Sequence, residues 1–191
     1  MSPFDYTTAF SRNIGWLTED EQQSLRTKRI AIAGMGGVGG FHLLTLARLG
    51  VEKFNIADLD TFELANFNRQ AGASMSTLGR PKVDVLAEMA RDINPGADIR
   101  LFPHGVNEQN LAEFFRGVDL YVDGLDFFAF EARERVFEYC AENCIPAVTV
   151  APLGKSAGLL NFLPGGMSFE DYFRVAGRPE LEKAVRFLVG L

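Results

Sequence analysis

A chain of 191 residues is sized for one domain. With 47% hydrophobic and 23% charged residues, and no apolar run near the roughly 20 residues that span a bilayer, its composition excludes a membrane-spanning or low-complexity chain. A formal charge of −6 without a dense Lys/Arg cluster argues against a general nucleic-acid binder, and leaves room for a local anion site. The N-terminus has neither the basic flank nor the apolar core of a signal peptide, and two cysteines do not make a disulfide framework, so the cytoplasm is the expected location.

Residues 4–17 are aromatic-rich and irregular, with Arg12 and Asn13 between Phe10 and Trp16. They read as an arm that packs by its aromatics, or as the carrier of a functional Arg12. Thr18-Glu19-Asp20-Glu21 has capping-box spacing and predicts a short helix from about Glu19 to Leu25, completing an N-terminal arm and helix over residues 1–28. The main body opens with Ile30-Ala31-Ile32-Ala33, small or β-branched without polar interruption, as a strand covered on both faces requires. Gly34, Gly36, Gly37, Gly39 and Gly40 follow. Such glycines permit a tight turn, let the backbone approach a ligand, and let a helix press against the strand. The free N–H groups and partial positive charge at that helix's start suit a phosphate. The helix is expected from about Gly37 to Leu49, with Leu43, Leu44, Leu46, Ala47 and Leu49 apolar, stopping at Gly50; His42 on it reads as a packed or surface histidine.

Lys53–Ala57 reads as the second strand, and Asp58 at its end stands where such folds hold a nucleotide ribose, whether of NAD or of ATP. Thr61–Gly79 is expected to be a polar loop with a short helical turn, long enough to be functional. Arg80-Pro81-Lys82 opens a helix with Val83, Leu86, Met89, Ala90 and Ile93 on one face. A cation in a helix's first turn opposes the dipole, so Lys82 points to a phosphate nearby. Asp98–Phe102 is the third strand, about Glu108–Phe115 the third crossover helix, and Asp119–Asp123 the fourth strand, running into Gly124-Leu125-Asp126 at the edge where open α/β sheets bind ligands. A long helix over about Phe128–Asn143 leads to a fifth strand, Ile145–Val150. Cys140 and Cys144, one helical turn apart beside Val136 and Phe137, read as buried thiols rather than a zinc pair. Gly158–Leu163 is an expected further strand, followed by two short amphipathic helices; the apolar, uncapped end at Leu191 is expected of the front part of a longer protein. The fold class is therefore α/β, a Rossmann-like, mostly parallel sheet with helices on both faces. Residues 29–150 form the nucleotide-binding core and 151–191 the start of a substrate-side portion.

These residues together resemble the ThiF/MoeB/HesA superfamily of adenylyltransferases, relatives of the ubiquitin-activating enzymes. The resemblance runs from about Phe10 to Pro164 and rests on Arg12-Asn13, the Gly34–Gly40 loop, Leu46-Ala47-Arg48-Leu49-Gly50-Val51, Asp58-Leu59-Asp60, Asn66-Phe67-Asn68-Arg69-Gln70, Gly79-Arg80-Pro81-Lys82, Ile93-Asn94-Pro95 and Asp123-Gly124-Leu125-Asp126, in the family's order. It implies binding of ATP and magnesium, and attack of a substrate carboxylate on the α-phosphate to give an acyl-adenylate and pyrophosphate. The substrate implied is the C-terminal carboxylate of a ubiquitin-like or sulfur-carrier protein, or another carboxylate. Carried over by position, Gly34, Gly36, Gly37 and Gly39 would form the ATP loop, and Asp58 would hold the ribose. Asn66, Arg69 and Lys82 would contact the phosphates, and Asp126 would bind magnesium. Arg12 matches an arginine that reaches the other subunit's active site, which implies a homodimer. Phe127 stands where many relatives have asparagine, the Cys-x-x-Cys pairs of several relatives are missing, and neither cysteine looks like a thioester nucleophile.

Two other readings stay open. An NAD-dependent oxidoreductase accounts for the glycine loop and Asp58 but gives Arg69, Lys82 and Asp126 no role. A non-catalytic nucleotide-binding partner subunit would be compatible with the abrupt apolar end.

Overall fold

The computed structural model describes residues 4–191. Residues 1–3 of the expected N-terminal arm lie outside the described residues. In chain order the elements are α1 (Tyr6–Ala9), a 3-10 turn (Ser11–Asn13), α2 (Glu19–Thr27), β1 (Arg29–Ala33), α3 (Gly39–Arg48) and β2 (Lys53–Ala57). A second 3-10 turn (Leu64–Asn66), α4 (Lys82–Ile93), β3 (Asp98–Phe102), α5 (Leu111–Phe114), β4 (Leu120–Asp123) and α6 (Phe130–Glu142) follow. The chain closes with β5 (Ala147–Leu153), β6 (Ser156–Phe162), α7 (Phe169–Phe173) and α8 (Glu180–Gly190).

One six-stranded sheet has the order β3-β2-β1-β4-β5-β6. β1 to β5 are parallel, and β6 pairs antiparallel with β5. The side-chain alternation of β1 explains the two cores. Ile30 and Ile32 face α3 and α4 with Leu43, Val83 and Leu86, while Ala31 and Ala33 face the other way. On that second face the strands contribute mostly small residues, Ala31, Ala33, Ala57 and Ala147, and the helices supply the volume with Phe114, Phe130, Phe137, Phe169, Phe173 and Phe187. A face short of strand side chains is filled to interior density by aromatic rings from the other layer.

Several expected boundaries move for identifiable reasons. α2 has the capping box read from the sequence, with Glu21 N–H donating to the Thr18 hydroxyl and Thr18 N–H to the Glu21 carboxylate, but runs on to Thr27. α3 begins at Gly39 rather than Gly37, because Gly36 and Gly37 are spent in the turn. α5 keeps only four residues, since the side chains of Asn107 and Asn110 bond the backbone N–H groups of 107, 109 and 110 and hold that stretch as a turn. β5 continues through Pro152 to Leu153, where β6 pairs with it along its full length.

The paired reading of the cysteines needs correction. Cys140 is buried in α6, but Cys144 lies beyond the helix end with φ 54° and is exposed. The helical spacing does not carry past Asn143. Burial also raises the Cys140 pKa well above that of an ordinary thiol. A thiol reagent added to the folded protein should therefore label Cys144 alone, and Cys140 only after unfolding, which peptide mapping of the labelled chain would read out.

The loop from Thr61 to Gly79 is closed at its base. Phe62 N–H donates to Arg80 O at 3.0 Å and Gly79 N–H to Phe62 O at 2.8 Å, while the buried Phe62 ring fills the space beside Gly72. The N-terminal arm is pinned at the C-terminal end of α3. There the Tyr6 hydroxyl donates to Gly50 O at 2.8 Å and the Asn13 amide to Leu49 O at 3.2 Å.

Candidate nucleotide site

The order of strands reverses between β1 and β4, and a cavity of about 870 Å³ opens beyond their C-terminal ends. Such a crevice is where doubly wound sheets bind ligands. Gly34 turns the chain out of β1 with φ +87°, and a Cβ there would fall 2.1 Å from Gly124 O. Gly39 packs so closely that a Cβ would lie 1.8 Å from Gly34 O, so it brings α3 against the strand. Gly36, by contrast, faces open space with nothing nearer than the Gln70 amide. The N–H groups of Gly36, Gly37 and Val38 make no hydrogen bond among the described residues, and no side chain caps α3. Gly39→Ala should destabilise the chain by about 1–3 kcal/mol through this overpacking, as a drop in the urea midpoint.

The cavity walls collect Gly34, Gly36, Gly37, Asp58, Asn66, Arg69, Lys82 and Asp126. Gly39 supports the loop from behind, and Arg12 is not among them. Asp58 already bridges the turn, its Oδ2 accepting from Met35 N–H at 2.6 Å and its Oδ1 from Asp60 N–H at 2.8 Å. Asn66 is buried and uses its carbonyl oxygen to accept from Glu63 N–H, which leaves its amide nitrogen without a partner among the described residues. Arg69 is exposed and donates from Nη1 to Ala65 O and to the Asn68 side chain. Lys82 is not a solvated surface charge: it is buried in the first turn of α4, and its Nζ donates to Asp60 Oδ2 at 2.9 Å. The stem is thus sequestered while the charged end meets the carboxylate of a more exposed residue.

Asp126 is exposed, with Oδ1 accepting from Phe128 N–H at 3.0 Å and Oδ2 without a hydrogen-bond partner among the described residues. No group of three or more His, Cys, Asp or Glu residues among those described is arranged to hold a metal. A magnesium ion that sits on a nucleotide needs only one or two protein carboxylates, the phosphates supplying the rest, and a cavity-lining carboxylate with one oxygen unpaired among the described residues fits that requirement.

Two further residues line the cavity, Asp123 at the end of the fourth strand and Arg133, to which the sequence reading gives no role. Asp123 and Arg133 form an ion pair at 2.8 Å with both side chains 2% exposed, and Thr149 donates to the same Asp123 oxygen. Arg133 could have been found by its position, since it shares the buried stripe Phe130, Arg133, Phe137, Cys140 of α6. A charge on such a stripe demands a buried partner. Gln70 is buried, and its carbonyl oxygen has no partner among the described residues. His42 is half-buried on α3; desolvation lowers its pKa and so favours the neutral ring.

Arg12 sits in the turn Ser11–Asn13, exposed, on the arm pinned at the far end of α3. Ten residues of helix separate that end from the glycine turn, roughly 15 Å. The arm does not bring Arg12 to its own chain's cavity.

Fold and site define a doubly wound α/β protein with its cavity at the point where the strand order reverses. Residues 10–188 match the ThiF family, and the chain belongs to it. The tRNA threonylcarbamoyladenosine dehydratase of Bacillus subtilis is 32% identical over 141 residues, 73% of this chain and 55% of that protein. The probable adenylyltransferase/sulfurtransferase MoeZ of Mycobacterium tuberculosis is 34% identical over 110 residues, 58% of this chain and 28% of that protein. The crystal structure of the Escherichia coli tRNA N6-threonylcarbamoyladenosine dehydratase in complex with ATP superposes with a TM-score of 0.71 at 29% identity, covering 75% of this chain and 58% of the other. The chain spans about half the length of the dehydratases it matches. Among the described residues no helix is long and apolar enough to cross a membrane.

Proposed function

We propose that this chain carries out ATP- and magnesium-dependent adenylylation of a carboxylate. The observation that carries the reading is the convergence on one cavity of an uncapped glycine turn, two cations, Arg69 and Lys82, and the partly unpaired carboxylate of Asp126. A carboxylate oxygen of the substrate attacks the α-phosphorus, a new P–O bond forms, and the bond to the bridging oxygen breaks as pyrophosphate leaves. The nucleophile is ionised at neutral pH, so no protein base is required. The work left to the chain is to hold two anions together and to neutralise charge on the leaving group. Gly36, Gly37 and Val38 offer N–H groups to the phosphates, Arg69 and Lys82 offer charge, and Asp58 offers carboxylate lone pairs to the ribose. Asp126 would hold magnesium, which supplies further neutralisation of the phosphates when bound.

The substrate we favour is the C-terminal carboxylate of a ubiquitin-like or sulfur-carrier protein. Arg12, stranded on the outside of its own chain, would serve the cavity of a second copy in a homodimer. Two unpaired cysteines agree with a reducing, cytoplasmic setting. A second reading, favoured by the 32% identity with the B. subtilis dehydratase, takes the carboxylate from a modified nucleoside of tRNA; the −6 charge weighs against it.

Calorimetric titration with ATP, with and without magnesium, and separately with NAD, tests the reading. ATP binding that requires magnesium and weakens in Lys82→Ala and Asp126→Ala is the expected result. NAD binding indifferent to both substitutions would replace it with the oxidoreductase reading, and binding of neither ligand would leave a non-catalytic subunit. ATP–pyrophosphate exchange driven by a carrier-protein tail or by tRNA then separates the two substrates.

A further inference from the structure

We infer that Arg133 is a positioning residue for Asp126, an inference that rests on the proposed role of Asp126. The guanidinium spreads its donors over three successive carbonyls of the turn after β4: Nη2 donates to Leu125 O and to Asp126 O, each at 2.9 Å, and Nη1 to Phe127 O at 3.1 Å. Nε donates to Asp123 Oδ2 at 2.8 Å, and the Phe187 ring of α8 covers the group with its centroid 4.7 Å from the guanidinium carbon. Asp123 is anchored in turn by Thr149 and by Leu125 N–H.

This is more than charge neutralisation. One hydrogen bond from Nε would satisfy the ion pair, and a buried pair is in general no better for stability than well-packed apolar side chains. The remaining donors go to the backbone on either side of the carboxylate that faces the nucleotide cavity. Arginine has five N–H groups in a rigid plane and serves four acceptors here from three nitrogens; lysine has three donors on one nitrogen at the end of a flexible stem, too few and too close together for the same set. Arg133 thus fixes the backbone from which Asp126 projects, and the bond from Phe128 N–H to Oδ1 fixes the side chain, leaving Oδ2 without a partner among the described residues.

The test compares Arg133→Lys with Asp126→Asn in the full chain by titration calorimetry with ATP, in the presence and absence of magnesium. The folded state is checked by thermal melting. Arg133→Lys should leave magnesium-free ATP binding within about twofold of the parent and reduce the magnesium-dependent gain in affinity by about tenfold or more, the size of effect seen when a group supporting a metal ligand is lost. A purely structural role would lower the melting temperature and leave that gain unchanged. If Asp126→Asn abolishes the gain and Arg133→Lys keeps it, the positioning role is overturned while the reading of Asp126 stands. If neither substitution moves it, the reading of Asp126 falls and the inference with it. Should Arg133→Lys fail to fold, Phe187→Leu, which uncovers the guanidinium without removing a donor, should shift the gain in the same direction, and no shift would overturn the inference.

Discussion

Lys82→Ala is expected to lower carboxylate-dependent ATP–pyrophosphate exchange by about 10²–10³-fold, the loss typical of one preorganised group that stabilises developing charge. The melting temperature should move little. Asp60, the partner left behind, is 56% exposed at its side chain and can be hydrated, and a pair with one exposed member contributes little to stability. The same asymmetry makes Lys82 available to a ligand. Its stem is held by the first turn of α4, so an arriving phosphate competes with Asp60 only for the ammonium end. A variant that loses stability in step with exchange would show that Lys82 serves the fold instead, as parallel urea curves and exchange rates would reveal.

Asp123→Asn should do the reverse and act on the fold first. The carboxylate accepts from Arg133, Thr149 and Leu125, and it is 3% exposed. Removing its charge leaves a buried guanidinium uncompensated, which typically costs about 3–5 kcal/mol. That is a large share of a domain's stability. Urea unfolding should show a lower midpoint with an unchanged slope. Arg133→Met, which removes the charge from the other side, should destabilise too, because Asp123 then keeps its charge with only neutral donors, and three turn carbonyls lose theirs.

How much of this was legible in the sequence follows from the range of the interactions. The glycine turn, the strand-end Asp58 and Asp126, and Lys82 at a helix start are set by local backbone geometry, and the fold places Gly34, Asp58, Lys82 and Asp126 around one cavity as the sheet pattern requires. Arg133 escaped because its partners are a strand end ten residues away and the turn between, a pairing that only the folded arrangement of β4 and α6 creates. Cys144 differs because helical spacing does not carry past the helix end at Asn143, which Pro146 three residues further on also marks. The shortened α5 reflects two asparagines that bond backbone groups more locally than a helix would. Arg12 is the opposite case: a residue recognised by its surroundings in sequence, whose single-chain position gives it no ligand to touch.

The closed base of the loop between Phe62 and Arg80 makes that segment a cassette. Its entry and exit are tied to each other by two backbone bonds, so a replacement that keeps Ala71, Gly72 and Ala73, which pack on the core beside Phe62 and Leu86, leaves the register of β2 and the start of α4 in place. Because Asn66, Arg69 and Gln70 all hang on that cassette while Lys82 and the glycine turn do not, one side of the cavity can be rewritten as a unit. Grafted segments are therefore a direct way to alter which ligand the site prefers while the sheet stays as it is.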